Sequence, residues 1–318
     1  MLSPWRRTLP GGPAPHLTAW SLLAEAATRD AAPDVGLPDA MADAELVARL
    51  ALEEDGLTDV TSEVTTAPGL NGTGAVVFRE AAVLAGSVYA DAVVRLAGLA
   101  PIRWQAAEGE VVAAGAVAAI VAGRLVGLLR AERPLLNMLQ RACGIATMTR
   151  AFVAAVAGTR CRILHTRKTT PGLRALEVRA VLAGGGAAHR IDLSHVLLVK
   201  DNHWRALALA NKSLAAALDA ARARGVAACY VEVESREQTQ AACAARATRI
   251  VVDNQPPETV REWAALARQV APEIEVEASG GITLADVRRY AEAGADFVSI
   301  GALTHSARAV DLALELLP

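Results

Sequence analysis

From residue 160 onward, short apolar runs alternate with amphipathic stretches. The runs are Arg162-Ile163-Leu164, Val196-Leu197-Leu198-Val199, Tyr230-Val231-Glu232-Val233, Ile250-Val251-Val252, Ile274-Glu275-Val276-Glu277-Ala278 and Phe297-Val298-Ser299-Ile300. Neighbouring runs begin about 20 to 34 residues apart, the spacing of repeated βα units. The stretches between them carry helix start signals. Ser235 with Gln238 and Thr283 with Asp286 resemble capping boxes. Pro256-Pro257 opens another helix, where a missing N–H does no harm. Repeated βα units predict a parallel sheet, and this many predict a barrel.

The first half reads differently. Leu46, Val47, Leu50 and Ala51 recur at helical spacing after Pro38. Between Gly72 and Gly123, short runs alternate with glycine: Gly74 to Phe78, Glu110 to Val112 and Ala118 to Val121. They predict several strands, with a helix near Ala90–Ala97, and hence an α+β domain. A long helical pattern then starts at Arg124 and carries Leu128, Leu129, Leu135, Leu136 and Leu139. Pro134 falls inside it. Proline in a helix interior costs about 3 kcal/mol, so a kink or a new helix is expected near Arg133. Residues 1–38 hold six of the 14 prolines and read as an irregular extension, with a short helix over Thr18–Thr28.

Composition narrows the class. Hydrophobic residues make up 53% and charged residues 21%, too apolar and too evenly charged for a disordered chain. A net charge of −2 leaves no electrostatic footprint for nucleic acid. The start of the chain lacks the apolar centre of a secretory signal, and no uninterrupted apolar stretch spans a membrane. The cysteines Cys143, Cys161, Cys229 and Cys243 form no CxxC pair, so reduced core thiols and a cytoplasmic setting are expected. Of the 32 basic residues only Lys168, Lys200 and Lys212 are lysine.

In a βα barrel, chemistry sits at the C-terminal ends of the strands. Here those ends carry His165-Thr166-Arg167-Lys168, then Lys200-Asp201-Asn202-His203, Glu234, Asp253-Asn254, Ser279-Gly280-Gly281 and Gly301. Between the first two lie Gly184-Gly185-Gly186 and His189-Arg190. Arg167, Lys168, Arg190 and Lys200 therefore point at one mouth. Arginine forks bind carboxylates and phosphates bidentately, and lysines act as compact point charges, so the ligand is a small polyanion. Glu234 and Asp253 face the same mouth and suit Mg²⁺ bound together with phosphate oxygens. Ser279-Gly280-Gly281, ahead of a helix expected near Thr283, offers free amides to phosphate. Any one of these charges alone reads as a surface salt-bridge partner. His189, His203 and His305 taken singly read as locally satisfied histidines. The phase of the set favours a site, because unrelated surface charges have no reason to fall at successive strand ends. Two of the three lysines fall in the same mouth.

These motifs, with Glu132-Arg133-Pro134-Leu135-Leu136-Asn137, Gly144-Ile145-Ala146-Thr147 and Gly301-Ala302-Leu303-Thr304-His305-Ser306, resemble those of quinolinate phosphoribosyltransferase. Glu53-Glu54-Asp55-Gly56 with Asp59-Val60-Thr61 resembles that family's N-terminal motif, and the likeness covers about residues 40–318. The resemblance implies an α/β chain: an N-terminal α/β sandwich domain over 39–130 and an open, TIM-like α/β barrel over 131–302, with 303–318 packing back on the sandwich. It implies a homodimer whose active site is shared across the interface, with Arg133 reaching the partner's site. It further implies that Arg167, His189, Arg190 and Lys200 hold quinolinate. Lys168 contacts the diphosphate of phosphoribosyl pyrophosphate, Glu234 and Asp253 hold ribose and Mg²⁺, and Ser279, Gly280, Gly281 and Gly301 cradle the 5-phosphate. His165, Arg179, Ala188, Asp192 and Pro134 depart from the usual residues, yet every charged ligand group stays in place. A related branch linked to molybdenum transport shares the Thr-Arg-Lys and Gly-Gly-Gly motifs. The intact Lys200-Asp201-Asn202-His203 favours the quinolinate enzyme.

Overall fold

In the computed structural model, residues 37–56 and 58–318 are described. The expected helix over Thr18–Thr28 and most of the 1–38 extension lie outside them. Helix α1 (Ala40–Glu54) starts at Asp39, whose carboxylate accepts the Met41 and Ala42 amides. A short helix α2 (Val60–Thr65) follows, capped by Asp59. Strand β1 (Asn71–Phe78) pairs antiparallel with β5 (Val117–Arg124), and β3 (Arg103–Trp104) pairs with the other edge of β5. A small ladder joins β2 (Ala82–Val83) to β4 (Val111–Val112). Helix α3 (Ser87–Leu96) lies where the pattern predicts one. The C-terminal strand β12 (Leu312–Leu316) returns to pair with β1, completing the sheet order β12-β1-β5-β3.

Helix α4 (Leu125–Ala155) runs without a break through Pro134, so no new helix begins at Arg133. The reason is packing. Pro134 is buried, and the helix feeds two cores at once. Leu128, Leu135, Leu136 and Leu139 join the core of the antiparallel sheet, while Ile145, Ala146 and Phe152 join that of the barrel. Each buried aliphatic side chain contributes about 1.5–3 kcal/mol, which offsets the proline. At Gly144 the C-terminal segment touches the helix so closely that a Cβ would come within 2.0 Å of the Arg308 carbonyl.

All six predicted runs of the second half are strands: β6 (Arg162–Leu164), β7 (Val196–Val199), β8 (Ala228–Val233), β9 (Arg249–Asp253), β10 (Glu275–Ser279) and β11 (Phe297–Ser299). They form one parallel sheet in the order β6-β11-β10-β9-β8-β7. Between them lie α5 (Arg174–Ala183), α6 (Asp201–Leu209), α7 (Leu214–Arg222), α8 (Arg236–Ala244), α9 (Pro257–Val270) and α10 (Val287–Glu292), and α11 (Ala302–His305) follows β11. The edge strands β6 and β7 do not pair with each other, so the barrel is open. Ala187 bridges to Leu164 along the free edge of β6. Alternation sorts the strand residues. Val231, Val233, Ile250, Val252, Val276, Ala278 and Val298 pack in the barrel's hydrophobic core. Between them alternate Tyr230, Glu232, Arg249, Asp253, Glu275, Glu277 and Ser279, on the opposite face, toward the barrel axis.

Candidate active site

Strand β6 delivers Thr166-Arg167-Lys168 to the mouth, and the following loop is tied down from several sides. Thr304 Oγ1 donates to the Lys168 carbonyl at 2.8 Å. The amide and hydroxyl of Thr170 donate to Glu177 at 3.1 and 2.7 Å. Glu177 is fully buried on α5 and also receives the Arg141 guanidinium at 2.8 Å. Arg174 Nε donates to Thr169 Oγ1 at 3.2 Å. Thr304, Glu177, Arg141 and Arg174 thus hold a loop that presents two cations.

A cavity of about 450 Å³ opens at this end of the barrel. Arg167, Lys168, His189, Arg190, Lys200, Asp253, Ser279, Gly280 and Gly281 line it, so the structure gathers most of the predicted set. Among the described residues, Arg167, Lys168 and Arg190 have no ion-pair partner, and the buried Nε of Arg167 has no hydrogen-bond partner. Burial, and then the neighbouring Arg167, lower the Arg190 guanidinium from its ordinary pKa. Unpaired cations set side by side repel one another, and an anion placed between them removes the penalty. Lys200 differs: its ammonium pairs with the buried carboxylate of Glu232.

A second cavity of about 370 Å³ adjoins the first and shares Thr166, Lys168, Ser279, Gly280, Gly281 and Ser299 with it. Gly301 and His305 line its far side. The glycine loop needs glycine. Gly280 sits at φ 94°, and a Cβ there would come within 2.2 Å of Asn254 Oδ1. Asn254 is itself left-handed at φ 53°, and its amide donates to the Ser279 carbonyl at 2.9 Å. The amides of Gly280, Gly281 and Gly301 donate to no loop or turn acceptor among the described residues. The expected helix at Thr283 does not follow directly. Thr283 N donates to Asp286 Oδ1 at 2.7 Å, which closes a turn, and α10 starts only at Val287. The Gly280-Gly281 loop, not the start of α10, lines the second cavity, with Gly301 at the N-cap of the short α11 on its other wall.

Two predicted residues lie elsewhere. Glu234 follows β8 but is exposed and lines neither cavity; Gln238 Oε1 accepts its amide at 2.7 Å in the turn that starts α8. Arg133 is exposed on α4, pairs with Glu132 at 2.6 Å and is outside both linings of its own chain. Asp253 does line the mouth, and Asn254 Nδ2 donates to it at 2.5 Å. Among the described residues no cluster of three His, Cys, Asp or Glu could hold a metal ion. His203 is locally satisfied, its Nδ1 accepting the Lys200 amide at 3.0 Å.

Sequence reasoning missed the layer beneath the mouth. Glu277 is buried, and its carboxylate touches His189 at 3.3 Å and Arg249 at 2.8 Å. Burial pushes this carboxyl up, but the contacts with His189 and Arg249 outweigh it and hold it below the usual carboxylate range. His165 is also buried. Burial lowers its imidazole to about 4, so it is neutral and accepts the His189 amide on Nε2 at 3.0 Å. A signal existed. Glu232, Glu277 and Arg249 are charges at alternate positions of central strands, where a parallel sheet ordinarily carries apolar residues.

Comparison with known proteins gives the same direction. Residues 59–143 match the family described as "Quinolinate phosphoribosyl transferase, N-terminal domain", and residues 145–315 match its C-terminal domain. The chain is 40% identical over 280 residues to a nicotinate-nucleotide pyrophosphorylase [carboxylating] of Mycobacterium leprae, covering 84% of this chain and 95% of that protein. A human protein of the same name is 37% identical over 236 residues, covering 74% and 78%. The solved nicotinate-nucleotide pyrophosphorylase of Francisella tularensis superposes with a TM-score of 0.81 at 30% identity, covering 88% of this chain and 98% of that one.

Proposed function

The chain belongs to the quinolinate phosphoribosyltransferase family, and from that premise we propose that it joins quinolinate to phosphoribosyl pyrophosphate. The products are nicotinate mononucleotide, diphosphate and CO₂, a step of NAD biosynthesis. The observation that carries this reading is the trio Arg167, Lys168 and Arg190, unpaired among the described residues: all three line the first cavity, and Lys168 also lines the second. The first suits a planar dicarboxylate and the second a phosphate.

Arg167 and Arg190 take the two carboxylates, with Lys200 at the edge. Lys168, at the junction, faces the departing diphosphate. The amides of Gly280, Gly281 and Gly301, with Ser279, receive the 5-phosphate. Held this way, the pyridine nitrogen attacks the anomeric carbon as the bond to diphosphate breaks. Positioning and neutralised charge supply most of the acceleration. The new pyridinium then loses its 2-carboxylate as CO₂, because the adjacent cationic nitrogen stabilises the electron pair left on carbon, and a proton from water replaces it.

The donor set suits Mg²⁺ that arrives on the diphosphate. That ion usually takes one or two carboxylates plus phosphate oxygens, and Asp253, which lines the mouth, would supply a carboxylate, whereas Glu234 lies outside both linings. When bound, the ion neutralises charge on the leaving group. Arg133 points away from its own mouth, which suits a homodimer in which it completes the partner's site. Four free, buried cysteines support a reducing, cytoplasmic setting. No helix among the described residues is long and apolar enough to cross a membrane.

A substrate panel tests the reading. With phosphoribosyl pyrophosphate and Mg²⁺ present, quinolinate should release diphosphate while nicotinate, lacking the second carboxylate, should not. Equal turnover of nicotinate would contradict it.

A further inference from the structure

The ring of His189 ends a chain of contacts beneath the mouth. Its Nδ1 accepts the Arg190 amide at 2.7 Å. A ring nitrogen that accepts carries no proton, so the neutral ring keeps its proton on Nε2. Nε2 lies 3.3 Å from Glu277 Oε2. The same oxygen receives Arg249 Nη1 at 2.8 Å. Arg249 is anchored by Glu275 at 2.7 Å and lies between the rings of Tyr230 and Phe297, at 4.3 and 3.8 Å from their centroids. From the other side, His165 Nε2 accepts the His189 amide at 3.0 Å. The edge of the Tyr230 ring meets His189 at a centroid distance of 5.7 Å. Its side chain is only 9% exposed. Both ring nitrogens are therefore engaged with protein.

Arg190 needs such support. Its guanidinium is half-buried beside Arg167, with no ion-pair partner among the described residues. Repulsion from Arg167 gives it no reason to stay in the mouth before substrate arrives. A bond to its own backbone amide fixes the stem without neutralising the head.

We infer that His189 is a positioning residue: braced by Glu277 and His165, it fixes the backbone from which Arg190 reaches a substrate carboxylate, and its ring gives no hydrogen bond to substrate. The inference rests on the dicarboxylate reading of the mouth. It also divides the mouth by role. Arg167 and Arg190 meet the acid, and the histidine beside them does not.

Side-chain geometry supplies the test. Asparagine Oδ1 occupies roughly the place of histidine Nδ1, whereas glutamine places its amide near Nε2. In the full-length enzyme, His189→Asn keeps an acceptor for the Arg190 amide, and KM for quinolinate should stay within about threefold of the parent. His189→Gln keeps only the Nε2-like group, and KM for quinolinate should rise about tenfold, the worth of one charge-assisted contact. KM for phosphoribosyl pyrophosphate and kcat should move less than about threefold in both, as far less than one such contact is at stake. Equal losses in the two variants would overturn the inference. If a variant fails to fold, the parent enzyme decides. Imidazole ¹⁵N resonances of His189 should report the Nε2–H tautomer and stay unmoved when quinolinate is added. A quinolinate-dependent shift of either nitrogen, in an enzyme that turns quinolinate over, would overturn the positioning role alone. Absence of quinolinate turnover by the parent would overturn the functional reading beneath it.

Discussion

Thr304 Oγ1 donates a hydrogen bond to the carbonyl of Lys168 across 2.8 Å, joining helix α11 to the loop after β6, 136 residues apart in the chain. Thr304 is fully buried, and the Arg141 guanidinium that holds Glu177 also reaches its carbonyl. Helix α11, which follows Gly301 of the proposed phosphate site, therefore sets the backbone of the lysine proposed to meet the diphosphate.

Thr304→Val keeps the shape and removes that donor. The Lys168 carbonyl then loses its partner, at a cost of about 0.5–1.5 kcal/mol. Turnover should fall about tenfold or more through displacement of Lys168, with KM for quinolinate little changed. Steady-state kinetics check this, and an unchanged kcat would show that the clamp is dispensable.

Lys200→Met should damage stability as well as binding. It leaves the buried Glu232 carboxylate unpaired, which costs about 2 kcal/mol for a pair half open to water. Adding Glu232→Gln should restore the melting temperature without restoring KM for quinolinate. Recovery of both would remove Lys200 from the substrate site.

His165 sets a pH window. Burial depresses its imidazole from 6.5 to about 4 in the folded protein. The unfolded chain then binds a proton that the folded one refuses. Its contribution is complete above pH 6.5 and is lost as pH falls toward 4, by roughly 3 kcal/mol. His165→Gln keeps an acceptor for the His189 amide but does not titrate. Urea midpoints measured between pH 6.5 and 4.5, above the range where Glu277 protonates, should fall less steeply in this variant. Identical slopes would refute the assignment.

The proposed sharing of the site across a dimer predicts complementation. Arg133→Ala and Lys168→Ala should each abolish most activity. When the two are mixed and subunits exchange, half the dimers are hybrids, each with one intact site. Activity should recover to about a quarter of the parent value. No recovery would mean that Arg133 does not serve a neighbour.

How much of this was legible in the sequence follows from what a residue interacts with. All six barrel strands and the polar residues at their ends could be read, because period-2 alternation and strand-end position are local properties. Arg167, Lys168, Arg190 and Lys200 come together as the phase of the βα units requires. The unbroken helix through Pro134 was not legible, since its cost is local but its compensation comes from two cores formed by distant residues. Glu234 was placed in the mouth by strand phase alone. Its exposure reflects the turn closed by Gln238, which strand phase does not encode. The layer of Glu232, Arg249 and Glu277 was hidden because each residue is explained only by a partner on another strand. The scarcity of lysine survived the comparison. Lys168 and Lys200 both line the mouth, and Lys212 lies outside it.

The central claim is a decarboxylating phosphoribosyl transfer, and position-labelled quinolinate tests it most directly. With label in the 2-carboxylate, phosphoribosyl pyrophosphate and Mg²⁺, the enzyme should release the label as CO₂, one for each diphosphate formed, and leave an unlabelled nucleotide. Label retained in the nucleotide, or diphosphate released without CO₂, would contradict the account.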